Sequence, residues 1–161
     1  MRHLRNKIVS AAELPKIIDA LRKDDKKIVF TNGCFDILHL GHIRCLRQAK
    51  SLGDILIVGL NNDASVRKLK GEQRPVVPEN ERLEIIAALE CVDYATLFPE
   101  PTPENLIRVI KPDVDVKGGD WKIEQIPEAS LVESYGGRVV IADYLKDHST
   151  TNLLKKIKTK I

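Results

Sequence analysis

The sequence predicts a single α/β domain, Rossmann-like, with a doubly wound parallel sheet of five strands. Three observations carry this prediction: short apolar runs recur along the chain, helical patterns lie between them, and Ile55 to Leu60 is apolar almost without interruption. Alternating strands and helices produce a parallel sheet covered on both faces. A strand buried on both faces loses the polar alternation of a half-exposed one. The chain has 161 residues, 43% of them hydrophobic and 30% charged, the length and composition of one ordinary globular domain.

Ser10 and Glu13 have capping-box spacing, and Leu14, Ile17, Ile18 and Leu21 follow at helical intervals, so a first helix is predicted from about Ala11 to Arg22. Residues 1–26 read as a helical extension to a core over 27–161. Ile28-Val29-Phe30 running into Thr31-Asn32-Gly33 reads as a buried strand and a turn. Ile43, Leu46 and Ala49 mark a helix that ends near Gly53, a C-terminal cap residue. Ile55 to Leu60 is the second strand. Asn61 to Pro78 is the longest polar stretch, broken by Gly71, Pro75 and Pro78, and is expected to be a functional loop. Leu83, Ile86, Ala87 and Leu89 give a helix from Glu79, Tyr94 to Phe98 the third strand, and Pro103 to Ile110 another helix. Val114-Asp115-Val116 is the fourth strand, Pro127 to Tyr135 a helix capped by Gly136-Gly137, and Val139 to Ala142 the fifth strand. Ser149-Thr150-Thr151 opens a last helix with Leu153, Leu154 and Ile157 on its apolar face.

Charge and cysteine content narrow the function classes. Lys plus Arg is 26 and Asp plus Glu 23, a net charge of +3 spread along the chain apart from Lys155, Lys156, Lys158 and Lys160. Nucleic-acid binding needs a denser basic face, so none is expected. No apolar run reaches membrane-spanning length, and Met1 to Ser10 lacks the apolar centre of a secretory signal. Cys34, Cys45 and Cys91 are odd in number and form no CxxC pair, which suits free thiols in a cytoplasmic protein.

Ligands of doubly wound sheets bind beyond the carboxyl ends of the strands, so the segments just after each strand carry the search. The first is Thr31-Asn32-Gly33-Cys34-Phe35-Asp36-Ile37-Leu38-His39-Leu40-Gly41-His42. A glycine-containing strand end leading into a helix N-terminus offers N–H groups and the positive end of a dipole to an anion. His39 and His42 share one helix face, with Gly41 leaving room for a phosphate. The pair also fits a metal site with Cys34, Asp36 or Cys45, although no further ligand follows at familiar zinc spacing.

The string resembles the signature of the HxGH nucleotidyltransferase superfamily, in its cytidylyltransferase-like form GxFDxxHxGH. The likeness implies that His39 and His42 hold the triphosphate, that Phe35 and Asp36 shape the pocket, and that transfer is a direct in-line attack. Asn32, Gly33, Cys34 and Gly41 then belong to the nucleotide site, with Cys34 as a packing residue. Asn62 to Gly71 with Arg74-Pro75, Arg82 to Asp93, Val116 to Asp120, and Ser149-Thr150-Thr151 resemble segments of the bacterial D-glycero-β-D-manno-heptose 1-phosphate adenylyltransferases. Those enzymes form ADP-heptose and pyrophosphate from ATP, for lipopolysaccharide or surface-glycan synthesis, and they occur alone or beside a kinase half, which this sequence is read as lacking. The resemblance implies ATP as co-substrate, Mg²⁺ carried on it, a sugar phosphate as partner and a homodimer.

By the same likeness Asn62, Asp63, Lys70, Arg74 and Arg82 are substrate-binding, with Lys70 and Arg82 also catalytic beside the histidines. Lys70 reads equally as a surface charge, and Arg82 as an ion-pair partner of Glu79 or Asp93. Lys117, Gly118, Gly119 and Asp120 are assigned to the nucleotide, although Gly-Gly-Asp also makes an ordinary turn. Trp121 either packs the base or covers the core. Ser149, Thr150 and Thr151 form a second anion site or a plain cap. Cytidylyltransferases carry an arginine five residues before this serine, where Tyr144 stands, and that departure favours the heptose branch over CTP. A cytidylyltransferase acting on glycerol 3-phosphate, an FMN adenylyltransferase, and a nucleotide- or metal-sensing module are the alternatives.

Overall fold

A computed structural model describes residues 4–119, 121–143 and 149–160. In chain order the elements are α1 (Leu14–Lys23), β1 (Ile28–Gly33), α2 (Leu40–Ser51), β2 (Ile55–Asn61), α3 (Asp63–Lys70), α4 (Glu79–Ala88), β3 (Tyr94–Phe98), α5 (Glu104–Ile110), β4 (Val114–Lys117), α6 (Ala129–Ser134), β5 (Arg138–Ile141) and α7 (Thr150–Lys160). The five strands form one sheet in the order β3-β2-β1-β4-β5, and every pairing is parallel. The predicted fold class is therefore the observed one. The chain steps outward from β1 to β3, then crosses back to build β4 and β5, and the reversal opens a crevice above β1 and β4.

The apolar runs are explained by two packed faces. Ile28, Phe30, Ile55 and Ile57 join a core with Leu14 and Ile18 of α1 and Leu106 and Ile107 of α5. The alternate residues Val29, Leu56, Val58 and Leu60 join the opposite core with Leu46 of α2 and Ile86 of α4. Successive side chains of a strand point to opposite faces, so covering both faces makes every position apolar.

Helix α1 starts at Leu14, after the expected Ala11. Both the N–H and the hydroxyl of Ser10 donate to Glu13 Oε2, at 2.8 and 2.7 Å, and this closes a turn just ahead of the helix. Pro15 then occupies the first turn, where its missing N–H costs no hydrogen bond. Gly53 follows α2 as expected, but no left-handed cap is formed there. A Cβ at Gly53 would lie 2.7 Å from Val29 Cγ2 and 2.8 Å from the Lys27 carbonyl, so close approach to β1 is what requires glycine. Gly136 does take the left-handed conformation (φ +89) at the end of α6.

The expected long loop from Asn61 to Pro78 needs correction, because α3 occupies Asp63–Lys70 and only residues 71–78 remain irregular. Asn62 caps α3 by accepting from the Ser65 N–H at 2.9 Å, with Asp63 in its first turn and Arg67, Lys68 and Lys70 in its last. Those charges suit the helix dipole, yet they hid the helix, whose buried face is only Ser65 and Val66.

The N-terminal segment is also part of the sheet. Ile8 forms a parallel bridge to Ala95, the Val9 N–H donates to the Ala95 carbonyl at 3.0 Å, and the Ala95 N–H donates to the Lys7 carbonyl at 2.8 Å. Lys7 Nζ donates to the Leu89 carbonyl, and Val9 is buried in the α1 core. Residues 7–9 therefore cover the outer edge of β3.

Candidate active site

The crevice is a cleft of about 660 Å³ that includes the C-terminal ends of β1 and β4 and the start of α2. His39 is the extended residue that caps α2 (φ −142, ψ 170), and His42 lies in the first turn. Their rings stack with centroids 3.8 Å apart, and Phe35 packs on His42 at 5.2 Å. Phe35 has φ 47, so the backbone turns sharply where β1 gives way to the helix. Burial, aided by the neighbouring His39, lowers the pKa of His42 to about 4. At neutral pH its ring is thus uncharged, with one N–H and one lone pair. His42 Nδ1 is buried without a hydrogen-bond partner among the described residues.

Asp36 does not face the ligand space with free oxygens. Its Oδ1 accepts from the N–H groups of Val76 and Val77 at 2.8 and 2.9 Å, and Arg74 Nε donates to Oδ2. The carboxylate thereby pins the 71–78 loop to the β1–α2 turn and sets Arg74 in the cleft wall beside Lys70. Burial pushes the Cys34 thiol up, which keeps it protonated as a packing residue.

Arg82 is 1% exposed and does not line the cleft. Its Nε donates to the Val77 carbonyl at 3.0 Å, Nη1 to the Cys34 carbonyl, and Nη2 to Asp63 Oδ1 at 2.8 Å. The expected ion-pair partners are engaged elsewhere: Glu79 accepts the Asp63 N–H and Asp93 holds Lys50. Arg82 thus links the turn after β1, the 71–78 loop and the start of α3, and reaches a ligand only through them. Asn62 and Asp63 also lie outside the cleft lining, Asn62 as a cap and Asp63 as the Arg82 partner.

Asn32, Gly33, Gly41, Lys117, Gly118 and Gly119 all reach the cleft. Gly118 is needed for space, since a Cβ there would sit 3.0 Å from Cys45 Sγ, and Gly119 adopts φ +112. Trp121 is 51% exposed at the cleft, which excludes the core-covering alternative. Ser149, Thr150 and Thr151 line the cleft, and Ser149 Oγ accepts from the Asn152 N–H at 3.1 Å as a helix cap. Asp120 and Tyr144 lie outside the described residues. Among the described residues no three His, Cys, Asp or Glu side chains converge as a metal site.

Sequence reasoning missed an ionic cluster beneath β4. Lys117 contacts Glu128, the residue capping α6, and lies 3.4 Å from Asp115 Oδ2 and 2.5 Å from Asn32 Oδ1. A charged residue inside the apolar strand Val114-Asp115-Val116 was the one available signal; Glu128 in a helix's first turn gives none. Burial raises the pKa of Asp115 to about 6, with Lys117 opposing and Glu128 adding to the rise. A carboxyl whose pKa is higher folded than unfolded contributes stability below its unfolded pKa and loses it as pH rises through the folded value. Replacing Asp115 by asparagine should therefore gain relative to wild type, by about 2 kcal/mol between pH 4 and pH 7. Thermal melts at the two pH values check this, and a gap that ignores pH would refute it. His42, shifted the other way, contributes stability above about pH 6.5 and loses it as pH falls through its folded value of about 4.

A doubly wound parallel sheet with a stacked histidine pair opening the helix after its first strand defines a nucleotidyltransferase domain. The chain belongs to the cytidylyltransferase-like family, whose profile matches residues 30–157. It is 54% identical over 94% of its length to the bifunctional protein HldE of Geobacter metallireducens and 49% identical over the same share to that of Geobacter sulfurreducens. The chain spans 31% of each of those proteins. Among solved structures it resembles a lipopolysaccharide core biosynthesis protein from Thermoplasma volcanium (TM-score 0.66, 33% identity, 75% of this chain and 99% of that one). Pantoate–β-alanine ligase from Francisella tularensis shares the fold (TM-score 0.58, 17% identity, 88% of this chain and 67% of that one). Among the described residues no helix is long and apolar enough to cross a membrane.

Proposed function

We propose that the chain transfers AMP from ATP to D-glycero-β-D-manno-heptose 1-phosphate, releasing pyrophosphate and ADP-heptose. The observation that carries the reading is the stacked His39–His42 pair at the N-terminus of α2, set in one cleft with Lys70 and Arg74. A phosphate oxygen of the sugar phosphate attacks the α-phosphorus of ATP; that P–O bond forms as the bond to the pyrophosphate leaving group breaks. Fixed donors and cations at the developing charge do the catalytic work in such transfers, so no covalent enzyme intermediate is required. His39 and His42 hold triphosphate oxygens together with the first N–H groups of α2. Lys70 and Arg74 neutralise phosphate charge, Gly118-Gly119 and Trp121 receive the nucleoside, and Ser149 to Thr151 close its far side. Mg²⁺ enters on the triphosphate, held by phosphate oxygens and water.

The identity to HldE proteins and the likeness to a lipopolysaccharide core biosynthesis protein support a sugar-nucleotide product. The same reading has the protein working as a homodimer in the cytoplasm. The family profile favours one second reading, transfer of CMP to glycerol 3-phosphate. A pyrophosphate-release screen of both acceptors with ATP and CTP decides between them. Turnover with ATP and the heptose phosphate is the expected result, and turnover only with CTP refutes the adenylyl reading.

A further inference from the structure

Charge is divided unequally across β1. On the α2 side the cleft is lined by His39, His42, Lys70 and Arg74, and both cations lie near enough to Cys34 to act on its thiol. On the other side stand Asn32 and Lys117. They follow Phe30 and Asp115 by two residues on paired strands, so they share the face covered by α1, α5 and α6. Here Lys117 meets two carboxylates, Asp115 and Glu128, so the formal charge of the cluster never exceeds zero. Lys117 donates to Asn32 Oδ1 and pairs with Glu128, while Asp115 Oδ2, 3.4 Å away, is a counter-ion that accepts no hydrogen bond from it. Two carboxylates already balance the single charge of the ammonium.

The lysine also decides which way the Asn32 amide faces. Lys117 can only donate, so it must take Oδ1, and the NH₂ group projects away from it. That NH₂ donates to no described residue, and Asn32, itself half-buried, lines the cleft. Glu128 lines the cleft as well, with Lys117 on Oε1. A fixed neutral donor beside a fixed carboxylate repels phosphate and matches a diol, one hydroxyl accepting from the amide and its neighbour donating to the carboxylate. Pro101, Pro103, Ile126 and Pro127 add apolar surface to the cleft wall.

We propose that Asn32 and Glu128, locked in place by Lys117, bind vicinal hydroxyls of the polyol part of the acceptor and so determine acceptor specificity. This rests on the reading of the cleft as a transferase acting on a polyol phosphate. Lys117 is then a positioning residue and Asn32 an acceptor contact, rather than the nucleotide ligands that their places after β4 and β1 suggested.

The test is steady-state pyrophosphate release by the full chain, varying each substrate in turn, for wild type, Asn32→Asp and Glu128→Gln. A site built to hydrogen-bond hydroxyls loses heavily when a partner is removed, so KM for the heptose phosphate should rise at least about tenfold in both variants. KM for ATP should stay within about twofold, because the change removes ground-state binding of the acceptor alone. Ethyl phosphate, which has no hydroxyl to bind, should serve wild type and variants equally poorly. Asn32→Asp keeps an oxygen for Lys117, so its melting temperature should match wild type; Glu128→Gln supplies a second reading if that variant does not fold. An unchanged acceptor KM, or a parallel rise in KM for ATP, overturns the inference. If glycerol 3-phosphate proves to be the acceptor, the heptose reading fails and the same comparison is made on that diol. Turnover with no polyol phosphate overturns both.

Discussion

Replacing His42 with alanine should lower turnover at least about a hundredfold, the loss seen when one donor to a developing oxyanion is removed. The ring is held for this role from two sides, by His39 at 3.8 Å and by Phe35 at 5.2 Å, so its position is set before any ligand arrives. Burial and His39 keep it neutral, at a pKa of about 4, in the ligand-free protein. A bound polyphosphate reverses that balance, because an adjacent anion favours the imidazolium. Titration of the His42 ring by NMR should accordingly show its pKa rising when pyrophosphate is added. His39→Ala should lose activity on the same scale, since the His39 ring completes the stack at the start of α2. Near-normal pyrophosphate release in both alanine variants would sink the transferase assignment.

Arg82→Met should damage the fold before it damages the chemistry. Removing one partner of a buried ion pair typically costs about 3–5 kcal/mol, because the other groups are left without their cation. For a domain of this size that corresponds to a fall in melting temperature on the order of 10 °C. Arg82 is an extreme case, with its guanidinium shared among Asp63 and the Cys34 and Val77 carbonyls on three separate segments. Arg82→Lys should recover little of the loss, since one ammonium cannot span the three directions of the guanidinium fork. A melting temperature within about 2 °C of wild type together with lost activity would instead make Arg82 a direct ligand contact.

The fold was legible because its signals are local and repeated. Covering both sheet faces makes each strand a continuous apolar run, and β2, with all seven residues buried, shows it best. The position of the cleft was legible for a related reason: in a doubly wound sheet ligand space opens beyond the strand ends, and the string from Thr31 to His42, which lines it, follows β1 directly. Helix α3 was hidden because its buried face is two residues wide. The roles of Arg82 and Glu128 were hidden for another reason. Arg82 is bonded to carbonyls 48 and five residues away and to a carboxylate 19 away, and no periodicity reports such bonds. Lys117 looked like a ligand for a free anion because its counter-ions, Asp115 and Glu128, meet it only after β4 and α6 have packed.

The strip formed by residues 7–9 along β3 bears on where this unit can be cut from a longer protein. An excised piece beginning at residue 27 would keep every residue of the cleft, yet it would lose the backbone bonds that cover Ala95 and the side chains of Val9, Leu14, Ile18 and Leu21. The bare edge of β3 would then be open to another copy's strand, the usual route to edge-to-edge association. A stable boundary therefore falls before Lys7, and a fusion or linker joined upstream of that point leaves the β3 edge covered.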